Sequence, residues 1–149
     1  MIPRGTLLLT RRDVLGLIDL NDCIVAVERA FRLYGEGKTL PPRVMGIHTR
    51  NGGFHIKAAL HKDGQPYFVA KINANFAANM EQYGLPAIQG VIILCDGEYG
   101  YPLAIMDSIE ITMKRTGAAG AIAAGYLSRS DSHTVKICGC GNQGMVQLP

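Results

Sequence analysis

The run His133-Thr134-Val135-Lys136-Ile137-Cys138 reads as a strand, and it passes directly into Gly139-Cys140-Gly141-Asn142-Gln143-Gly144. A strand followed by glycines at these spacings opens a dinucleotide turn. Gly139 permits the tight turn, Gly141 lets backbone approach a pyrophosphate, and Gly144 lets the next helix lie close to the sheet. That helix would aim its free N–H groups at the phosphates. Only Met145 to Pro149 follow, too few to hold a helix in water, and the acidic residue expected ~20 positions on to bind a ribose hydroxyl is not among them. The expectation is the front part of a longer protein. A first domain occupies 1–127, including a connecting helix over 108–127, and a truncated Rossmann domain begins over 128–149.

With 149 residues and 48% hydrophobic content, the chain can bury one core. Its net charge of +3 is spread along the sequence, which argues against a nucleic-acid surface. No apolar run approaches the ~20 residues of a membrane span, and Met1-Ile2-Pro3-Arg4-Gly5 has no apolar leader core. Cys23, Cys95, Cys138 and Cys140 show no CxxC spacing, so a reducing cytoplasm is the expected setting. Cys138 and Cys140 read as small fillers within the glycine turn. No HExxH or comparable spacing occurs among the histidines, and no metal is expected.

Between the ends, the pattern is α+β. Thr10 precedes one helical start and Asp19 to Asp22 a second, after which Ile24, Val27, Phe31 and Tyr34 recur at helical spacing until Gly35 and Gly37. From Pro42 the runs become strand-like. Residues 44–49 and 54–60 flank Asn51-Gly52-Gly53 as a hairpin, a turn at 62–66 leads into 67–73, and 88–95 and 103–106 flank the turn Asp96-Gly97-Glu98-Tyr99-Gly100. A mostly antiparallel sheet is predicted. Helical character returns over 108–127, capped by Asp107 or Ser108, with Gly117-Ala118-Ala119-Gly120-Ala121 at its centre. Such small residues admit either a packed neighbour or a ligand.

Three cations stand out by their surroundings: Arg43 after Pro41-Pro42, Lys71 inside Val69-Ala70-Lys71-Ile72-Asn73, and Arg115 before Thr116. A lysine in mid-strand either faces solvent or, pointing inward, has its pKa lowered into a range suited to proton transfer. Each arginine is either a surface charge or a two-pronged grip for a carboxylate. Alternation puts His55 and Lys57 on one face of their strand, a face that is either wet or part of a site.

Taken in order, Arg43, Val69 to Asn73, Gly84-Leu85-Pro86-Ala87-Ile88-Gln89-Gly90, Pro102 to Asp107, Arg115-Thr116-Gly117-Ala118-Ala119 and Gly139 to Gly144 form six blocks in register. This series resembles the ornithine cyclodeaminase and mu-crystallin family over nearly the whole chain. The resemblance implies an α+β substrate-binding and dimerisation domain, followed by the first strand of an α/β Rossmann domain that binds NAD or NADP. It implies a homodimer joined through the sheet. Arg43 and Arg115 would hold the substrate α-carboxylate and Lys71 would orient the substrate and help with protons, while Thr116, Gly139, Gly141, Asn142, Gln143 and Gly144 would face the cofactor. Where Ala87 and Gly120 stand, the family commonly has threonine and a hydroxyl residue.

The implied reaction takes hydride from the α-carbon of an L-amino acid and leaves an imine. Attack by the substrate's own terminal amine gives a cyclodeaminase; attack by water gives an alanine dehydrogenase-type enzyme. Run backwards on a cyclic imine, the site is a ketimine reductase. The alternative is a mu-crystallin-like protein that binds small molecules without turnover. On its own, the chain as written is expected to be inactive.

Overall fold

A computed structural model describes residues 5–147. Met1 to Arg4, read above as lacking a leader core, and Leu148 and Pro149, at the end of the segment expected to open a Rossmann domain, lie outside the described residues. In chain order the elements are β1 (Leu7–Leu9), α1 (Arg11–Leu17), α2 (Leu20–Gly35), β2 (Arg43–Thr49), β3 (Gly52–His61), β4 (Tyr67–Asn75), α3 (Asn79–Tyr83), β5 (Ile88–Asp96), β6 (Pro102–Asp107), α4 (Ile109–Leu127) and α5 (Asn142–Val146).

The strands form one six-stranded sheet in the order β1-β6-β5-β4-β3-β2. All neighbours are antiparallel except β1, which runs parallel to β6. The predicted antiparallel sheet is therefore present, with a parallel edge strand that the three leucines of β1 did not announce. Local chemistry accounts for the helix starts. Thr10 and Asp13 form a reciprocal capping box, with the Thr10 N–H donating to Asp13 Oδ2 at 2.9 Å, and Asp19 Oδ1 accepts from the Asn21 N–H at 2.7 Å. At α4 the two candidate caps divide the work. Asp107 Oδ1 accepts from the Ile109 N–H at 2.8 Å, while the Ser108 hydroxyl turns away and donates to Asn73 Oδ1 at 3.0 Å.

The two faces of the sheet differ. Helices α1, α2 and α4 pack together on the face that carries Ile92 and Ala104, and these two residues, Val14 of α1 and Ala118 of α4 are buried. Glu110 is buried there too, and Arg11 Nε and Nη2 both donate to its Oε1 at 2.7 Å. Removing one partner of such a pair strands a buried charge. Arg11→Ala is expected to cost about 2 kcal/mol, less than the ~3–5 kcal/mol of a fully enclosed pair because the arginine is half exposed; urea unfolding of the two proteins measures it.

The opposite face is apolar and uncovered. Alternation assigns it Phe54, Ile56, Phe68, Ile72, Val91 and Ile105, and Phe68, Val91 and Ile105 remain 38%, 40% and 37% exposed.

The end of the chain departs from expectation. Residues 133–138 form no strand, and Val135 is largely exposed. A strand exists by hydrogen bonding to a neighbour, and among the described residues none lies beside this segment. Cys138 and Cys140, expected as packed fillers, are exposed for the same reason.

Candidate functional site

Sheet register brings two of the candidate cations together. Lys57 and Lys71 are direct cross-strand partners, in the row Val44, Lys57, Lys71, Ile92, Met106. Ile92 is buried beneath the helices, so this row belongs to the covered face. Lys71 is half-buried and its Nζ reaches Thr112 Oγ1 of α4 at 3.5 Å. Arg115 lies one turn further along the same helix face, exposed. Burial lowers the Lys71 pKa, and the neighbouring positive charges of Arg115 and then Lys57 lower it further. Three cations thus lie close together where α4 passes over β4.

Among the described residues no ion pair neutralises them; every pair joins other groups: Arg11 with Glu110, Arg29 with Asp63, Arg32 with Glu28, Lys38 with Glu36 and Arg129 with Asp131. Like charges directly opposite each other on a sheet are destabilising. An anion between them would reverse the sign of that interaction.

Arg43 is placed differently. It opens β2 opposite Ala58, in the neighbouring row with Ala70, Ile93 and Ile105. Period-two alternation therefore sends its Cβ to the uncovered face. The structure brings Lys71 and Arg115 together, adds Lys57, and leaves Arg43 at the open edge of the sheet.

Around this cluster the polar groups are arranged by helix and strand periodicity. Thr112, Arg115 and Thr116 share one side of α4, and the Thr116 hydroxyl donates to the Thr112 carbonyl at 2.7 Å, leaving its oxygen able to accept. His55 stands opposite Asn73 on the Lys71 face, and its ring meets that of His48 edge to face with centroids 6.4 Å apart. Thr112 was not singled out from sequence. Its signal was its spacing, three and four residues before Arg115 and Thr116. Among the described residues no group of three or more His, Cys, Asp or Glu side chains is placed to hold a metal ion, and no helix is long and apolar enough to cross a membrane.

The glycine turn sits against the same helix. Gly139 has φ +101°, a region L side chains rarely adopt, and a Cβ on Gly144 would strike the Gly139 carbonyl. Asn142 and Gln143 begin α5, both exposed. The small residues of α4 admit this helix: a Cβ at Gly117 would come within 2.7 Å of the Val146 carbonyl oxygen, and one at Gly120 would collide with the Gln147 side chain. Packing, not a ligand, occupies that stripe. A hydroxyl residue at 120 would need Gln147 to move.

Fold and cations together define an α+β domain with three cations clustered beside its long helix α4, against which the short helix after the glycine turn packs. The chain belongs to the ornithine cyclodeaminase/mu-crystallin family, whose profile matches residues 4–149. It is 41% identical over 144 residues to the alanine dehydrogenase of Archaeoglobus fulgidus, covering 96% of this chain and 43% of that protein. An archaeal alanine dehydrogenase dimer with bound NAD superposes with a TM-score of 0.89 at 40% identity, over 96% of this chain and 43% of the other. The Delta(1)-pyrroline-2-carboxylate reductase of Thermococcus litoralis, solved with NADH and L-proline, gives 0.84 at 34% identity, over 96% and 44%. The chain thus spans less than half the length of these relatives.

Proposed function

We propose that this chain is the substrate-binding part of an NAD- or NADP-dependent enzyme that interconverts a small L-amino acid and its imine, either cyclising it, deaminating it or reducing a cyclic imine. The observation that carries the reading is the unneutralised group Lys57, Lys71 and Arg115 beside a glycine turn with dinucleotide spacing. Relatives named for alanine dehydrogenation and pyrroline-2-carboxylate reduction support it.

The residues present suit a nicotinamide dinucleotide. Gly139 makes the turn with its positive φ, Gly141 stands at the helix start, and Asn142, Gln143 and Gly144 begin α5 with N–H groups free for phosphate. Thr116, one turn before the Gly120 that Gln147 packs against, would face the cofactor from α4. The nicotinamide, when bound, exchanges hydride with the substrate α-carbon. The chain's own groups do the positioning. Arg115 offers a planar fork to the α-carboxylate and Lys71 a point charge beside it, fixing the α-carbon. Its lowered pKa, from burial and the neighbouring positive charges, makes Lys71 a readier proton donor than an exposed lysine. Arg43 joins this clamp only by rounding the open edge at β2, so its share is the smaller one.

We also assign the uncovered sheet face to a second copy of the chain, in keeping with the dimer of the archaeal relative. Apolar faces of this extent mark interfaces. Ile105→Lys is expected to convert a dimer to monomer, read by sedimentation equilibrium; an unchanged mass would remove the sheet from the interface. The overall reading is tested on the whole protein by following NAD(P)H absorbance with alanine, proline, ornithine and pyrroline-2-carboxylate. Absence of any nicotinamide-linked turnover would end it.

A further inference from the structure

Lys57 is not needed to hold an α-carboxylate, because Lys71 and Arg115 already flank one. It nonetheless faces Lys71 directly across the β3–β4 pair, where Cβ atoms lie about 5 Å apart. No carboxylate pairs with it among the described residues. Its strand lies beyond β4 from β5, and β5 is the strand on which α4 packs. Lys57 therefore stands one strand further than Lys71 from the strand on which α4 packs, toward the part of a ligand remote from that helix.

We infer that the ligand of this site carries two anionic groups, a dicarboxylic amino or imino acid, with Arg115 and Lys71 on its α-carboxylate and Lys57 on the second carboxylate. This rests on the reading of the cation cluster as the substrate site. A diamino acid such as ornithine would bring its terminal ammonium toward a third cation in a group that pairs with no acid among the described residues. A dicarboxylate instead relieves the repulsion between the two lysines.

The probe is succinate against butyrate, one carboxylate more at equal chain length, titrated by calorimetry into the whole protein and into Lys57→Met and Lys57→Arg variants. Lys57 is exposed, so both variants keep the fold. Succinate is expected to bind about tenfold or more tightly than butyrate, in line with a charge-assisted contact. Lys57→Met should abolish that preference without weakening butyrate, and Lys57→Arg should retain it. Equal affinity of the two acids, equal loss of both in Lys57→Met, or failure of both to bind overturns the inference. A change in NADP affinity alone would hand Lys57 to a cofactor phosphate and overturn it equally. The outcome is separable from that of the proposed activity: succinate preference can persist without turnover, and turnover of alanine can persist without succinate preference.

Discussion

Arg115→Ala is expected to weaken substrate binding by roughly 100-fold in the whole protein, because a two-pronged, charge-assisted contact to a carboxylate contributes up to about 3 kcal/mol. Arg115→Lys should recover little of this, since an ammonium cannot reproduce the planar fork. Arg43→Ala, at the open edge and on the other face by register, is expected to cost only about threefold. Because Arg115 is exposed and forms no ion pair among the described residues, its removal should leave the urea midpoint of unfolding unchanged or slightly raised. Steady-state kcat/KM and the unfolding curve together separate binding from folding. Normal turnover in Arg115→Ala would take the α4 cation out of the substrate site.

The second large effect belongs to Lys71. Lys71→Met is expected to lower kcat by roughly a hundred- to ten-thousandfold, the range for removing a positioned proton-transfer group, and at the same time to stabilise the fold at neutral pH. The two effects share a cause. Burial, then Arg115, then Lys57 disfavour the charged amine in the native state, so its folded pKa lies below its ordinary value of 10.5. Between the folded value and 10.5 the unfolded chain binds more protons than the native one, and stability rises with pH through that window. Below the window the penalty is present in full. Lys71→Met removes it, so its denaturation midpoint should exceed that of the parent at pH 7, and the difference should shrink as pH approaches 10.5. A variant less stable than the parent at pH 7 would show that the amine is not held at an energetic cost.

Much of this arrangement was legible in the residues. The strands, the hairpin at Asn51-Gly52-Gly53 and the long helix over 109–127 were readable because turn chemistry and hydrophobic period are local. So was the shared face of His55 and Lys57, since alternation along one strand needs no partner. Which residue lay across from Lys57 was not readable. Register is a property of two strands, and only pairing put Lys71 opposite Lys57 and put Arg43 one row away on the other face. The expectation that Arg43, Lys71 and Arg115 converge counted charges without counting that parity. Likewise β1 and α3 are too short, at three and five residues, to carry a period of their own, and the strand read at 133–138 had the right composition but no neighbour to pair with.

By itself, then, the sequence determined the family, the succession of elements and the chemical kinds available: two arginines, two lysines in strands and a glycine turn. Tertiary structure alone decided which of them meet. It set Lys57 against Lys71, hung Arg115 over both from α4, spent the Gly117–Gly120 stripe on α5 rather than on a ligand, and left one sheet face bare. The physical reason is that propensity and capping act over a few residues, whereas the electrostatics of a site depends on separations of a few ångströms between groups tens of positions apart, which strand pairing and helix packing create.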